Sequence, residues 1–130
     1  MVRDREYIVY EGEAFTIEWY YDAKGKSQPL KFYEDLDKDQ RIQFLKLVKT
    51  MGDVGNIQNK TKFRNEGDKI YAFKPKPNRF LCFFTSGKKI IVTNGFAKKQ
   101  DKLPPKEKDR ALKNMADYKD RLKKGTYYDG

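Results

Sequence analysis

Histidine is missing from this 130-residue chain. That removes every mechanism that relies on an imidazole to carry a proton near neutral pH, the Ser-His-Asp triad and two-histidine ribonuclease chemistry among them. Cysteine occurs once, as Cys82. A single cysteine forms no internal disulfide and, without histidine partners, builds no zinc site, so within its run of large hydrophobes it reads as a small buried side chain. No apolar run approaches the roughly 20 residues that span a bilayer, and residues 1–6 lead into no signal-peptide hydrophobic stretch. The expected location is the cytoplasm, with no membrane partner. There is no Walker loop, no dinucleotide-binding glycine fingerprint and no metal-spaced set of carboxylates, so neither a metal nor an organic cofactor is expected. The carboxylates fall mainly within the first 39 residues, interleaved with Lys and Arg. That suits solvated faces better than a paired acid and base.

What the chain does have is large hydrophobes and an excess of positive charge. Apolar residues make up 38% and aromatics 15%, enough to build one modest core, so residues 1–130 are expected to form one domain. The net charge of +10 is uneven: residues 74–124 hold 16 Lys or Arg against 5 Asp or Glu, which leaves the rest of the chain close to neutral. A basic half of this kind suits a polyanionic partner such as nucleic acid, an acidic protein or anionic lipid.

The densest pattern lies between Ile70 and Lys99. IYAFK, RFLCFFT and KIIVTN read as three short strands, separated by Pro75-Lys76-Pro77-Asn78 and by Ser86-Gly87, that is, an antiparallel meander running out into Gly95-Phe96-Ala97-Lys98-Lys99. Lys74, Arg79, Lys98 and Lys99 stand at or just past strand ends, where a sheet can aim side chains at a ligand. Upstream, residues 6–11 and 14–21 read as two strands. The second alternates Phe15, Ile17, Trp19 and Tyr21 against Thr16, Glu18 and Tyr20, the mark of a half-buried strand with Trp19 in the core. A short helix capped by Ser27 is expected through Asp37. A second, over residues 38–51, shows Phe44, Leu47, Val48 and Met51 on one face and ends at Gly52; both should lie on one face of the sheet. Residues 53–68 read as a loop carrying Lys60, Lys62 and Arg64. After Leu103-Pro104-Pro105, a helix over 105–123 sets Leu112, Met115, Tyr118 and Leu122 on one stripe, and residues 125–130 read as a flexible tail.

In their order and spacing, these elements resemble the RelE/ParE toxin superfamily, in its HigB-like, phage-derived branch. The likeness rests on Tyr71-Ala72-Phe73-Lys74, on Arg79 opening the aromatic strand Phe80 to Phe84, on Gly95-Phe96-Ala97-Lys98-Lys99, and on the proline and basic helix that follow. It covers about residues 14–122, with 1–13 adding an N-terminal strand. It implies an α+β domain, a small antiparallel sheet with the two helices of the N-terminal half packed on it and a C-terminal helix. It also implies the toxin of a type II toxin–antitoxin pair: an endoribonuclease acting on messenger RNA, usually in the ribosome, and neutralised by a cognate antitoxin of helix-turn-helix type. On that resemblance Lys74, Arg79, Lys98 and Lys99 are the catalytic candidates, with Lys74 where the family often has arginine. Lys62 and Arg64 would position the RNA backbone, and Tyr71 or Phe96 would stack a base. The stretch 96–105 holds neither the tyrosine nor the histidine that well-studied members use there. Two other classes fit the same residues: a ParE-like inhibitor of DNA gyrase, and a non-catalytic phage-derived module that binds RNA or an acidic protein.

Overall fold

The strongest apolar runs of the sequence become the middle of a six-stranded sheet. A computed structural model of the chain describes residues 6–99 and 102–128. In chain order it contains β1 (Ile8–Glu11), β2 (Thr16–Trp19), α1 (Gln28–Glu34), α2 (Lys38–Val54), β3 (Phe63–Gly67), β4 (Ile70–Phe73), β5 (Asn78–Thr85), β6 (Lys89–Ala97) and α3 (Pro105–Lys123). The sheet order is β1-β2-β6-β5-β4-β3. The β4-β5-β6 meander is present as expected, and the fold is α+β. The sheet departs from a purely antiparallel one at a single seam, where β2 pairs with β6 in parallel. The chain leaves β2 for two helices and three strands before it returns, and a connection of that length can deliver β6 in either direction.

The alternation of each strand sorts side chains to two faces. Ile17, Trp19, Phe73, Phe80, Cys82, Ile90 and Val92 share one cluster with Phe44, Val48 and Met51 of α2, and Leu30, Phe32 and Tyr33 of α1 pack against it. Phe44 stacks on Phe80 with ring centroids 3.9 Å apart. Each such ring contributes about 1.5–3 kcal/mol by leaving water. On the opposite face Tyr20, Ile70, Ala72, Leu81, Phe83, Ile91 and Phe96 pack with Ala111 and Tyr118 of α3. The two N-terminal helices therefore cover one face and α3 the other, and Cys82 is buried between layers.

Covering both faces overturns the expectation of a half-buried β2, because Glu18 is only 4% exposed and Tyr20 is buried with it. On α3 the deepest positions are Ala111 and Tyr118. Leu112 and Met115 flank them and Leu122 is exposed, since the stripe turns away from the sheet in the last turn. Residues 53–68 are not a loop throughout: α2 runs to Val54 and β3 occupies Phe63–Gly67. Nor does α2 stop at Gly52. It ends at Gly55, whose φ of 82° is the left-handed conformation that closes helices. Gly52 serves a different purpose, since a Cβ on the facing Gly12 would lie 2.2 Å from the Gly52 carbonyl carbon. The backbones of α2 and of the β1–β2 turn meet there without side chains between them.

The flexible tail is also corrected. Tyr127 is 1% exposed, and its hydroxyl accepts the Tyr21 backbone N–H at 2.9 Å. The Tyr128 hydroxyl donates to Glu18 Oε1 at 2.7 Å and lies 2.8 Å from the Tyr118 hydroxyl. Aromatic side chains with a polar tip can dock where a buried carboxylate offers an acceptor. Residues 1–5 of the expected N-terminal strand and residues 129–130 of the expected tail lie outside the described residues.

Candidate functional site

Cross-strand register builds the site at one end of the sheet. Arg64, Ala72, Leu81 and Asn94 stand opposite one another across β3, β4, β5 and β6. In the next row toward the strand ends, the Lys74 N–H donates to Lys62 O at 2.8 Å, and Arg79 faces Phe96. The Lys98 N–H donates to Pro77 O at 2.9 Å, which ties the β6 extension to the β4–β5 turn. Because side chains repeat every second residue, Lys74 follows Ile70 and Ala72, Arg79 precedes Leu81 and Phe83, and Lys98 follows Asn94 and Phe96. All three cations belong to the face covered by α3.

Two of them are largely buried, Lys74 at 9% exposed and Arg79 at 8%. The Lys74 Nζ donates to Lys60 O at 3.2 Å, so this side chain clamps the turn before β3. The Arg79 Nη1 donates to Asn78 O at 2.8 Å. The Lys74 amine is held below the ordinary lysine value, first by loss of hydration and then by repulsion from Arg79 and Lys98. Glu66 opposes the shift, and Arg64 adds to it. Both main causes disfavour an ammonium. The cations are thus close enough to act on one another.

Beside this group, the start of α3 encloses a cleft of about 340 Å³ lined by Arg64, Glu66, Lys98, Lys102, Leu103, Pro105 and Lys108. Lys108 pairs with Asp68 at 2.8 Å. Lys102, Lys108 and Glu66 were not among the sequence candidates. The Pro104-Pro105 start of a basic helix was the available signal, but only the return of α3 across the sheet brings its first turn over β3.

The other candidates separate. Lys99 is exposed beyond the end of β6 and is not among the charges that act most on Lys74. Lys62 is exposed in the turn before β3, where its backbone holds Lys74. Tyr71 lies on the opposite face of the sheet, stacked on Phe63 with centroids 5.6 Å apart and packed against Phe84. An odd-numbered neighbour of Ala72 has to point away from the cations. Phe96 is on the cationic face but is 9% exposed within the α3 cluster, so it forms floor rather than a projecting ring. Among the described residues, no group of three or more Cys, Asp or Glu is placed to hold a metal ion, and no helix is long and apolar enough to cross a membrane.

Residues 31–116, from α1 through most of α3, match the family model described as phage-derived protein Gp49-like (DUF891). The chain belongs to that family. It is a toxin-like family in the RelE/HigB-related group. The matched segment contains β3 to β6 and with them Arg64, Lys74, Arg79 and Lys98; β1, β2 and the docked tyrosines of the C-terminus fall outside it. No curated protein matches this chain.

Proposed function

We propose that this Gp49-like protein is the toxin of a type II toxin–antitoxin pair and an endoribonuclease that cuts messenger RNA, with the ribosome as its setting, the cytoplasm as its location and a helix-turn-helix antitoxin as its partner. The observation that supports this reading best is the convergence of Lys74, Arg79 and Lys98 from three strand ends on one face, with Arg64 near enough to add to the field at Lys74. A scissile phosphodiester is the polyanion such a group fits.

The chemistry follows from the residues. Arg79 offers planar N–H donors to the phosphate oxygens and stabilises the charge that grows on them as the phosphorus becomes five-coordinate. An ordinary lysine is a poor base at neutral pH, but the depressed Lys74 has a larger neutral fraction. Lys74 then takes the proton of the 2′-hydroxyl as the 2′-oxygen bonds to phosphorus. The P–O5′ bond breaks, and Lys98 returns a proton to the departing 5′-oxygen. The products are a 2′,3′-cyclic phosphate and a free 5′-hydroxyl. Lysine at position 74, where arginine would be permanently charged, gives this chain a proton carrier without histidine.

Purified protein added to a translation reaction should fragment the message and leave 2′,3′-cyclic phosphate ends, while gyrase supercoiling is unaffected. Intact message together with stalled supercoiling would replace this reading with the gyrase one. Intact message and unimpaired growth on induction without antitoxin would leave only a binding module.

A further inference from the structure

A second hollow, larger than the cationic cleft, is present. It lies on the other flank of α3, measures about 480 Å³, and is walled by Asn94, Arg110, Lys113 and Asn114 on one side and by Lys26 and Gln28 on the other. We propose that this hollow is a second nucleotide subsite, which takes the phosphate and base of a residue flanking the cleaved one in single-stranded RNA. The proposal rests on the nuclease reading above and extends it.

Charge accounting favours an anion. Two carboxylates reach the hollow, but both are engaged. Asp117 is bound by Arg121 at 2.7 Å and by the Tyr20 hydroxyl, and Asp22 Oδ1 accepts the backbone N–H groups of Lys24 and Lys26, each at 2.9 Å. Arg110 pairs with Glu107 at 3.0 Å on a half-exposed surface, a contact that water and salt weaken. Lys26 and Lys113 are exposed on the rim. The walls are held rigid. Gln28 exchanges two hydrogen bonds with the Gly95 backbone, at 2.7 and 2.8 Å, and Asn114 Nδ2 donates to Thr93 O at 3.1 Å, which leaves its Oδ1 as an acceptor for a base edge. A fixed polar wall beneath exposed cations suits a nucleotide, with its rigid base and charged phosphate.

Continuity with the first site comes from one strand. Asn94, Phe96 and Lys98 occupy the α3 face at alternate positions, with Asn94 in the hollow and Lys98 in the cationic cleft. Their separation of four residues is about 13 Å at the rise of a strand, a span that a few nucleotides bridge.

The test uses full-length protein and 2′-O-methyl RNA, which cannot undergo attack by its own 2′-oxygen. An eight-nucleotide strand and a dinucleotide are titrated against wild type, an Arg110→Gln/Lys113→Gln variant and a Lys123→Gln/Lys124→Gln variant that removes equal charge at the far end of α3. The first variant should bind the longer strand roughly tenfold more weakly, with a salt slope smaller by about 1.4, and should bind the dinucleotide as wild type does. The second should match wild type on both. Equal weakening by both variants, or no weakening by the first, overturns the subsite while message cleavage by wild type would keep the nuclease reading. If wild type binds neither RNA, the subsite is overturned as well, and message cleavage in the translation reaction alone decides the nuclease reading.

Discussion

Replacing Lys74 with methionine tests the site and its electrostatics in one protein. Lys74 as a residue is 9% exposed, and its ammonium is partly desolvated and repelled by Arg79 and Lys98. Its folded-state pKa therefore lies below the 10.5 of a free lysine. Each unit of that depression destabilises the charged form by about 1.4 kcal/mol relative to the unfolded chain. Against it stands one hydrogen bond to Lys60 O, at 3.2 Å, for which the lower end of the roughly 1.5–3 kcal/mol assigned to charged donors is appropriate. Lost hydration and repulsion oppose the hydrogen bond at neutral pH, so Lys74→Met should change stability by less than the roughly 1.5–3 kcal/mol of that bond alone. The sign of the pH dependence is fixed. Between the depressed pKa and 10.5 the unfolded chain binds more protons than the folded one, so this lysine adds stability as pH rises. Urea denaturation of both proteins from pH 7 to 10.5 should show the difference moving toward wild type by up to about 1.4 kcal/mol per pH unit. A flat difference, or one moving the other way, refutes the placement of Lys74 among cationic neighbours. The kinetic arm is independent. Lys74→Arg keeps the charge but cannot titrate, so it should retain RNA affinity and lose turnover; full activity in that variant would reduce Lys74 to a phosphate contact.

Three other outcomes follow from the same geometry. Arg79→Gln should lower message cleavage by roughly 10²–10³, by analogy with loss of an oxyanion donor, with Arg79→Lys recovering only part because a point charge replaces a fork; measured cleavage rates in the translation reaction decide it. Tyr128→Phe leaves the buried Glu18 with Lys89 at 3.2 Å but removes a 2.7 Å donor, and should cost about 1–3 kcal/mol by denaturant titration, whereas no change would mean that the C-terminus is not docked. Gly12→Ala places a methyl 2.2 Å from the Gly52 carbonyl carbon, and thermal unfolding should report a loss of about 1–3 kcal/mol or more.

The cations of the candidate site could be read in advance because three of them sit where a strand pattern breaks. Lys74 and Arg79 border the Pro75-Lys76-Pro77-Asn78 turn and Lys98 follows the end of β6, and a meander brings such ends together. Tyr71 stands apart because a one-residue step along a strand reverses the face, and Lys99 because it lies exposed beyond the end of β6. Arg64 was assigned to a loop because FRNEG lacks the β-branched and aromatic content of a strand. It becomes β3 through pairing with β4 at the sheet edge, a contact its own composition does not encode. The docking of Tyr127 and Tyr128 was hidden for a similar reason, since their partners Tyr21 and Glu18 lie more than a hundred residues away.

Composition and periodicity alone determined the exclusion of imidazole chemistry, the basic second half, the helices and the central strands, because each depends on residue type or on spacing within one segment. Tertiary structure alone decided that β2 runs parallel to β6, that α3 covers the face opposite α1 and α2, and that the first turn of α3 closes a cleft over β3. Those are properties of how faces meet. A local pattern states which side of an element is apolar, but the partner for that side is chosen only when the whole chain buries its surface at once.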